Sequence, residues 1–195
     1  KTLVVDGRVG FMGGVNLNGY SRSQPGAPAI QDYHFQVQGP VVQELQYSFL
    51  RDWHVMTEEN PDQLLSAAYF ERQPPAGQAF ARVVNSGPSS DLRLAVDVFF
   101  NAVNLARQQV FVITPYFLPS EDLLRALRMA ALRGVRVVLV VPKTSNHWYT
   151  TWAARAMYED LLEAGVQINE RRPPFIHAKA MVVDDRMAVV GSSNW

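Results

Sequence analysis

Hydrophobic residues along this chain recur at two spacings, one of about 3.6 residues and one of two. Residues 91–107, the run after Ser120 and residues 150–164 carry apolar side chains at the helical spacing. Residues 108–117 and 135–142 are short runs of β-branched and aromatic residues, which favour strands. Helix and strand therefore alternate from residue 91 onward, which predicts an α/β fold with helices packed on a mixed sheet.

The first part of the chain has a less regular pattern. Apolar runs on both sides of the DGR turn at residues 6–8 predict a hairpin, and residues 32–39 alternate as a strand does. Residues 19–32 are rich in Gly, Pro and Ser, which predicts a loop. Residues 81–87 predict one more strand.

Residues 39–56 have the pattern of an amphipathic helix. The apolar residues expected to face the core recur at helical spacing: Val41, Leu45, Phe49 and Trp53. Later in the chain, Ser120 is a predicted N-cap, and Gly134 is expected to end the helix that follows.

The sixteen residues that open the chain recur near its end. KTLVVDGRVGFMGGVN at residues 1–16 and KAMVVDDRMAVVGSSN at residues 179–194 are identical at seven of sixteen positions. Several other positions exchange one apolar residue for another. Agreement in register over this length is an internal repeat.

A histidine precedes the second copy of the repeat. His177 stands two residues before Lys179, and Asp184 follows after four more residues, which gives the pattern His-x-Lys-x4-Asp. A complete repeat would place a histidine two positions before Lys1. The chain is therefore expected to be cut from a longer one, starting inside the first motif and stopping just after the second.

The spacing of the motif has a geometric consequence. On a strand, residues two apart point the same way, so His177 and Lys179 share one face while Ala178 takes the other. A hairpin after the motif would return Ser192 and Asn194 to the same place. One such motif alone is weak evidence, because short patterns arise by chance, but recurrence of Lys, Asp, Gly and Asn in register makes chance improbable.

Composition limits the class of function. Eighteen basic and eighteen acidic residues leave no net charge, so a broad nucleic-acid-binding surface is not indicated. There is no cysteine, which excludes disulfides and thiolate metal ligands. The four histidines are widely spread and give no metal cluster, and no apolar run has the length needed to span a bilayer.

These motifs resemble those of the phospholipase D superfamily, and of its bacterial cardiolipin synthase branch in particular. The twin motif carries the likeness, together with blocks such as DGRVGFMGGVNL, ITPYFLPSEDLLRALRMAALRGVRVVLVVP and IHAKAMVVDD with GSSN. The resemblance covers essentially the whole chain. It implies a phospholipase D-like α/β fold of two pseudo-symmetric halves, residues 1–90 and 91–195, each a mixed sheet flanked by helices, with the active site at their interface.

The resemblance also assigns roles to residues. It implies these catalytic residues: His177, Lys179, Asp184, Lys1 and Asp6. Lysines and amide donors suit a phosphodiester, because they stabilise the negative charge that grows on its non-bridging oxygens. The implied substrate-binding residues are these: Asn16, Asn194, Ser192 and His147.

His147 has a second interpretation. It matches a histidine common in the branch, yet it stands beside Trp148 and Tyr149, which favours an ordinary loop histidine packed on aromatic rings over a substrate contact. Tyr116, in the run TPYF, is open to the same alternative as a core residue.

The implied reaction is phosphatidyl transfer through a phosphohistidine, with no metal or cofactor. One neutral imidazole attacks phosphorus and the other, by family analogy His177, gives the leaving alcohol its proton. The implied partners are a phospholipid, phosphatidylglycerol foremost, and a membrane surface on the cytoplasmic face of a bacterial inner membrane. No nucleic acid and no obligate protein partner are expected.

Two alternatives remain open at this point. One is a phosphodiesterase of the same superfamily that transfers the group to water or cuts nucleic acid. The other is a non-catalytic relative that binds lipid or protein. Because the upstream histidine is missing, the chain by itself is expected to turn over poorly or not at all.

Overall fold

The computed structural model describes residues 1–16, 29–87 and 93–195. The chain forms two compact units, Lys1–Gly13 with His34–Asp91 and Gly14–Tyr33 with Leu92–Trp195. Each unit has its own sheet and helices, which confirms the α/β fold class. The predicted halves stay a prediction, and the compact units differ from them in one segment, because Gly14–Tyr33 groups with the second unit.

The first unit contains a three-stranded antiparallel sheet. Its elements are β1 (Thr2–Val5), β2 (Val9–Gly13), β3 (His34–Gln38), α1 (Val41–Thr57) and the short α2 (Pro61–Leu64). The strands pair in the order β1, β2, β3, so the predicted hairpin and the strand within residues 32–39 are confirmed. Most of the predicted loop at 19–32 lies outside the described residues.

Helix α1 packs on the sheet by a face that includes the predicted Leu45 but not Phe49 and Trp53. Val42, Leu45 and Leu50 are buried, whereas Phe49 and Trp53 are 47% and 42% exposed and stack on each other at 5.9 Å. A sheet of three strands covers only a narrow stripe of a helix, and that stripe lies one position away from the predicted one.

The strand predicted at residues 81–87 is absent, since these residues make no ladder pairing. The amide of Val83 instead donates to the Glu44 carboxylate at 2.7 Å, and the Ser48 hydroxyl donates to Asn85. The segment is therefore held along α1 by side chains rather than at a sheet edge.

The second unit is built on a five-stranded sheet in the order β6, β5, β4, β7, β8. Its strands are β4 (Gln109–Ile113), β5 (Arg136–Pro142), β6 (Gln167–Arg171), β7 (Ala180–Val183) and β8 (Met187–Val190). Its helices are α3 (Leu94–Leu105), α4 (Glu121–Leu132), α5 (Trp148–Arg155) and α6 (Tyr158–Glu163). Strands β4, β5 and β6 run parallel, and β7 and β8 run antiparallel to their neighbours.

Local signals explain most of these boundaries. The Ser120 hydroxyl accepts the amide of Leu123 at 3.4 Å, which confirms the predicted N-cap. Gly134 takes a φ of +87° just after α4, a conformation that favours glycine. The single helix predicted at 150–164 is instead two helices, α5 and α6, with a break at residues 156–157.

The core of the second unit lies on one face of its sheet. Val110, Val137 and Leu139 on the strands are at most 1% exposed, as are Leu123 and Leu127 on α4. Alternate residues of each strand point to this face, which is why the β-branched runs form its centre. This rigid core positions the strand ends that carry the polar residues.

One edge of this sheet collects polar segments. Ile113 pairs with both Val140 and Ala180, so the carboxyl ends of the parallel strands lie beside the start of β7. The segments that follow β4 and β5, and the segment before β7, therefore meet at the same edge.

The sequence repeat is also a structural repeat. Thr2–Val5 and Ala180–Val183 are both first strands of antiparallel hairpins, and Asp6 and Asp184 both have a φ of +52°. The turn amides of Arg8 and Arg186 donate to the carbonyls of Val5 and Val183, each at 3.0 Å. The same antiparallel hairpin, with an aspartate in the left-handed conformation at its turn, thus occurs twice in the chain.

No helix within residues 1–16, 29–87 and 93–195 is both long and apolar enough to cross a membrane.

A core substitution tests this packing. Leu127→Ala should reduce the free energy of unfolding by about 2–5 kcal/mol, because it leaves a cavity under the sheet. Leu132→Ala, on the same helix but 62% exposed, should change it by less than about 0.5 kcal/mol. Urea unfolding followed by circular dichroism measures both; equal losses would contradict the assigned core.

Candidate active site

The motif residues His177 and Lys179 lie immediately before β7, not within it, since the strand begins at Ala180. A parallel bridge between Gln31 and Ile176 holds this segment. The amide of His177 donates to the carbonyl of Gln31 at 2.7 Å, and the amide of Gln31 donates to Phe175 at 2.9 Å. The prediction that His177 and Lys179 lie on the motif strand is therefore wrong, and the residues before them pair instead with a segment far away in sequence.

This pairing brings a carboxylate to the histidine. Oδ2 of Asp32 lies 2.8 Å from Nδ1 of His177, and the two side chains are only 5% and 17% exposed. The other carboxylate oxygen of Asp32 accepts the amide of Tyr33 at 2.7 Å. Asp32 is therefore fixed on both oxygens and aimed at one ring nitrogen.

Gly14 makes room for this carboxylate. A Cβ at position 14 would lie 2.3 Å from Oδ1 of Asp32 and 2.5 Å from Oδ2, closer than any side chain tolerates. The amide of Gly14 also donates to the carbonyl of Tyr33 at 3.0 Å, which ties the two segments together. The second glycine of the sequence GGVN is thus needed for the Asp32–His177 contact.

Lys179 is buried against the same imidazole. It is 5% exposed, and its ammonium donates to the carbonyl of His177 at 2.6 Å. Nζ also lies 3.0 Å from each ring nitrogen of His177. A buried ammonium requires polar partners, and here the motif histidine supplies several of them.

These contacts define the state of the histidine. A carboxylate only accepts, so the hydrogen on Nδ1 is directed to Asp32. Proton exchange with a substrate then falls to Nε2, which lies beside the Lys179 ammonium. The cluster of Asp32, His177 and Lys179 combines a fixed imidazole with an adjacent cation, the pair of groups that phosphodiester chemistry requires.

Asp184 makes a different set of contacts. Its carboxylate accepts the amides of Arg107, Gln108 and Gln109 at 2.8–2.9 Å. These amides, that of Gln109 foremost, lower the pKa of Asp184 below its usual value. Its contacts therefore tie the β7–β8 turn to the loop before β4, while its implied catalytic role stays a prediction.

The hairpin returns its far end toward the motif, as predicted. The amide of Gly191 donates to the carbonyl of Lys179 at 3.4 Å, continuing the β7–β8 pairing. Ser192 and Asn194 follow on this end and are exposed. In the first unit the amide of Gly13 donates to Lys1 at 3.3 Å in the same way.

The remaining predicted residues are placed as follows. Lys1 and Asp6 are exposed residues of the first unit, at the start and the turn of its hairpin. Asn16 belongs to the second unit, in the segment that also holds Gly14 and Asp32. Their functional roles stay predictions.

His147 and Tyr116 lie at the same sheet edge as His177. The Tyr116 ring is 6.2 Å from the His177 ring and 5.6 Å from the His147 ring, and its hydroxyl donates to Asn146 at 2.8 Å. Tyr116 thus packs beside the motif histidine and is not a residue of the core. Contact of His147 with substrate stays a prediction.

Sequence reasoning missed Asp32. It stands at the end of a predicted loop, 145 residues from His177, and belongs to neither motif. One signal was available, because Asp32 is the only acidic residue between Asp6 and Glu44.

Comparisons with known proteins agree with the geometry. The family model described as "Cardiolipin synthase, PLD-like domain" matches residues 99–195, which include the second motif. The chain belongs to the phospholipase D superfamily. Its predicted likeness to that superfamily is therefore confirmed.

Relatives within this superfamily match the whole chain. The chain is 36% identical over 198 residues to a protein named cardiolipin synthase from Geobacillus kaustophilus, covering 39% of that protein. It is 37% identical over 196 residues to one named cardiolipin synthase A from Pseudomonas aeruginosa, again covering 39%. The chain thus spans about two fifths of the length of these relatives.

A solved structure was also matched, that of Nuc, a phospholipase D family member from Salmonella typhimurium. The match has 24% sequence identity and a TM-score of 0.46, and covers 52% of this chain and 64% of that one.

The contacts of Asp184 predict an acid-dependent loss of stability. Its folded-state pKa is depressed, so its stabilisation is complete above the unfolded pKa near 3.8 and is lost as the pH falls through the folded value. Asp184→Asn should lower the thermal midpoint at pH 7, and the gap from wild type should shrink below about pH 4.

The neighbouring Asp185 provides the control. It is exposed and accepts one side-chain amide, that of Gln109, so Asp185→Asn should have a much smaller effect. A midpoint of Asp184→Asn equal to wild type at pH 7 would show that the three amide contacts contribute nothing.

Proposed function

We propose that this chain is part of a phosphatidyltransferase of the cardiolipin synthase type, which moves a phosphatidyl group from one phospholipid to the hydroxyl of another. One observation carries the proposal: a motif histidine fixed by a buried carboxylate beside a buried lysine. The names of the relatives support the choice of substrate class.

In the proposed first step, a neutral histidine of the first motif attacks the phosphorus of phosphatidylglycerol. The P–O bond to glycerol breaks as a P–N bond forms, and the departing oxygen takes the proton from Nε2 of His177. Glycerol leaves, and the phosphatidyl group is held on histidine.

In the second step, His177 acts as a base. Its Nε2 takes the proton of a hydroxyl on a second phosphatidylglycerol, and that oxygen attacks phosphorus as the P–N bond breaks. Two molecules of phosphatidylglycerol thus give cardiolipin and glycerol, and the proton returns to His177.

Lys179 and Asp32 have separate parts in this scheme. The Lys179 ammonium stabilises the negative charge that develops on the phosphoryl oxygens. Asp32 touches no reacting atom; it is a positioning residue that keeps a hydrogen on Nδ1, so that proton transfer takes place at Nε2. Lys1, Asn16 and Asn194 are proposed to complete the anion-binding groups.

Because both proposed substrates are phospholipids, we also propose that the protein works at a membrane surface. The named relatives are bacterial, which favours the inner membrane. The balance of eighteen basic and eighteen acidic residues supports a lipid over a nucleic acid as substrate.

The direct test uses the full-length protein with phosphatidylglycerol vesicles and separation of the product lipids. Wild type should form cardiolipin, and His177→Ala should abolish it, because Nε2 of His177 gives the proton in the first step and takes it in the second. His54→Ala is the control, since His54 lies on α1 and its Nδ1 contacts the carbonyl of Glu59. It should retain wild-type turnover.

Other results would overturn the proposal in recognisable ways. Phosphatidic acid without cardiolipin would identify a hydrolase that uses water as acceptor. Vesicle binding without any change of lipid would identify a non-catalytic relative.

The role of Asp32 has its own prediction. Asp32→Asn should lower kcat by at least about tenfold, with a smaller change in KM, because the imidazole loses its fixed tautomer rather than its substrate contacts. Gly14→Ala should act in the same direction, since its Cβ would displace the carboxylate. The measurement is the initial rate of cardiolipin formation across pH 5–9.

Asp160→Asn serves as the matched control, because Asp160 is an exposed residue of α6. A positioning role also predicts an altered pH profile for Asp32→Asn, which mere loss of stability would not give. Wild-type kcat and pH profile in Asp32→Asn would remove Asp32 from the mechanism.

A further inference from the structure

Helix α5 presents three large aromatic residues to solvent. Trp148 and Trp152 are each 71% exposed and Tyr149 is 56% exposed. We call these three residues the aromatic face. Trp148 and Trp152 are one helical turn apart and their rings meet edge to face at 6.3 Å. Exposed aromatic residues of this size rarely cluster without a binding role.

The aromatic face is continuous with the motif histidine. The ring centroids of His177 and Tyr116 are 6.2 Å apart, and those of Tyr116 and His147 are 5.6 Å apart. The ring of Tyr149 follows, 5.7 Å from that of His147. The Trp148 ring lies 6.0 Å beyond, against Tyr149. An unbroken file of aromatic rings thus leads from the candidate catalytic group to the exposed helix.

Several basic residues lie at the sheet edge that α5 reaches through the contact of Arg155 with Glu170. Residues 135–158 contain no acidic residue. The amide of Lys143 donates to the carbonyl of Arg171 at 2.8 Å, so the exposed residues Lys143, Arg171 and Arg172 share this edge. The nearby Glu170 is bound by the Arg155 guanidinium at 2.7 and 2.9 Å, which neutralises it.

We propose that the aromatic face inserts into the boundary between headgroups and acyl chains of an anionic phospholipid bilayer. This inference rests on the proposed function for the identity of the lipid, and it adds the surface by which the protein meets that lipid. Trp and Tyr favour this boundary because each has an apolar body and a polar atom. Lys143, Arg171 and Arg172 then face the anionic headgroups.

The orientation has a consequence for substrate entry. A phospholipid in the bilayer has its phosphate at the level of the basic edge and its chains at the level of the indole rings. The row of aromatic rings lies between the membrane surface and the motif histidine. The lipid is proposed to move along these rings until its glycerol backbone reaches Tyr116 and its phosphate reaches His177 and Lys179. The lipid does not have to leave the membrane surface completely before it reacts.

The test measures where Trp148 and Trp152 reside. The full-length protein is mixed with vesicles of 70% phosphatidylcholine and 30% phosphatidylglycerol that carry bromine on the acyl chains. Bromine quenches indoles that enter the bilayer. The double variant Trp148→Phe, Trp152→Phe should lose at least about half of the quenching, because it removes the two indoles that the proposal places at the interface.

The matched control is Trp53→Phe. Trp53 is exposed and lies on α1, but it is hydrogen-bonded through Nε1 to Glu59 and has Phe49 as its aromatic neighbour. Its replacement should leave bromine quenching and lipid turnover unchanged. Equal quenching in wild type and the double variant would contradict the proposal. So would indoles shielded from acrylamide yet unquenched by bromine, which would identify a protein partner instead.

A second readout separates this inference from the proposed reaction. The ratio of cardiolipin formation on vesicles to that in mixed detergent micelles should fall at least about fivefold in Trp148→Ser, Trp152→Ser. Leu105→Ser, Leu132→Ser removes two other exposed apolar residues and should keep the ratio. If the proposed reaction is wrong, no variant forms cardiolipin. Bromine quenching still shows whether the aromatic face enters the bilayer.

Discussion

The contact between Asp32 and His177 is the interaction on which the candidate site depends. A carboxylate and an ammonium are buried against one imidazole, and neither would be stable there alone. The backbone supports the arrangement through the parallel bridge between Gln31 and Ile176, and Gly14 leaves the space for the carboxylate. Fold and chemistry are joined at this point, because the segment that carries Asp32 also holds the motif backbone extended.

The repeated hairpin shows how one motif serves two purposes. Its aspartate takes the same left-handed conformation in both copies, which fixes the turn. In the second copy the Asp184 carboxylate also accepts three amides of the loop before β4. The histidine and lysine of that copy stand at the other end of the strand, beside Asp32. The motif therefore places Asp184, which stabilises the turn, at one end of a short strand and the candidate catalytic residues His177 and Lys179 at the other.

The sequence pattern predicted most strands and helices of the second unit, although the helix expected at 150–164 is two helices, and it predicted fewer features of the first unit. Period-two and period-3.6 runs predicted β4, β5, α3 and α4, because a large sheet buries one face of each element. The stripe of α1 was misjudged, since a three-stranded sheet leaves Phe49 and Trp53 exposed.

Asp32 could not be predicted, because its contact with His177 joins residues 145 apart and leaves no periodic trace. The same is true of residues 81–87, which are fixed by side chains of α1 rather than by strand pairing. By contrast, the repeated motif could be identified from the sequence alone, because its residues recur in register.

The central claim is that Asp32 fixes the tautomer of His177, with the hydrogen on Nδ1 and Nε2 available for chemistry. Nitrogen-15 NMR of histidine-labelled protein at neutral pH tests it most directly, with His177 assigned by its loss in His177→Ala. The account predicts coupling of a ring hydrogen to Nδ1 in wild type and redistribution between the two nitrogens in Asp32→Asn. Absence of a ring hydrogen on Nδ1 in wild type, or an Nδ1 hydrogen that Asp32→Asn leaves unchanged, would contradict it.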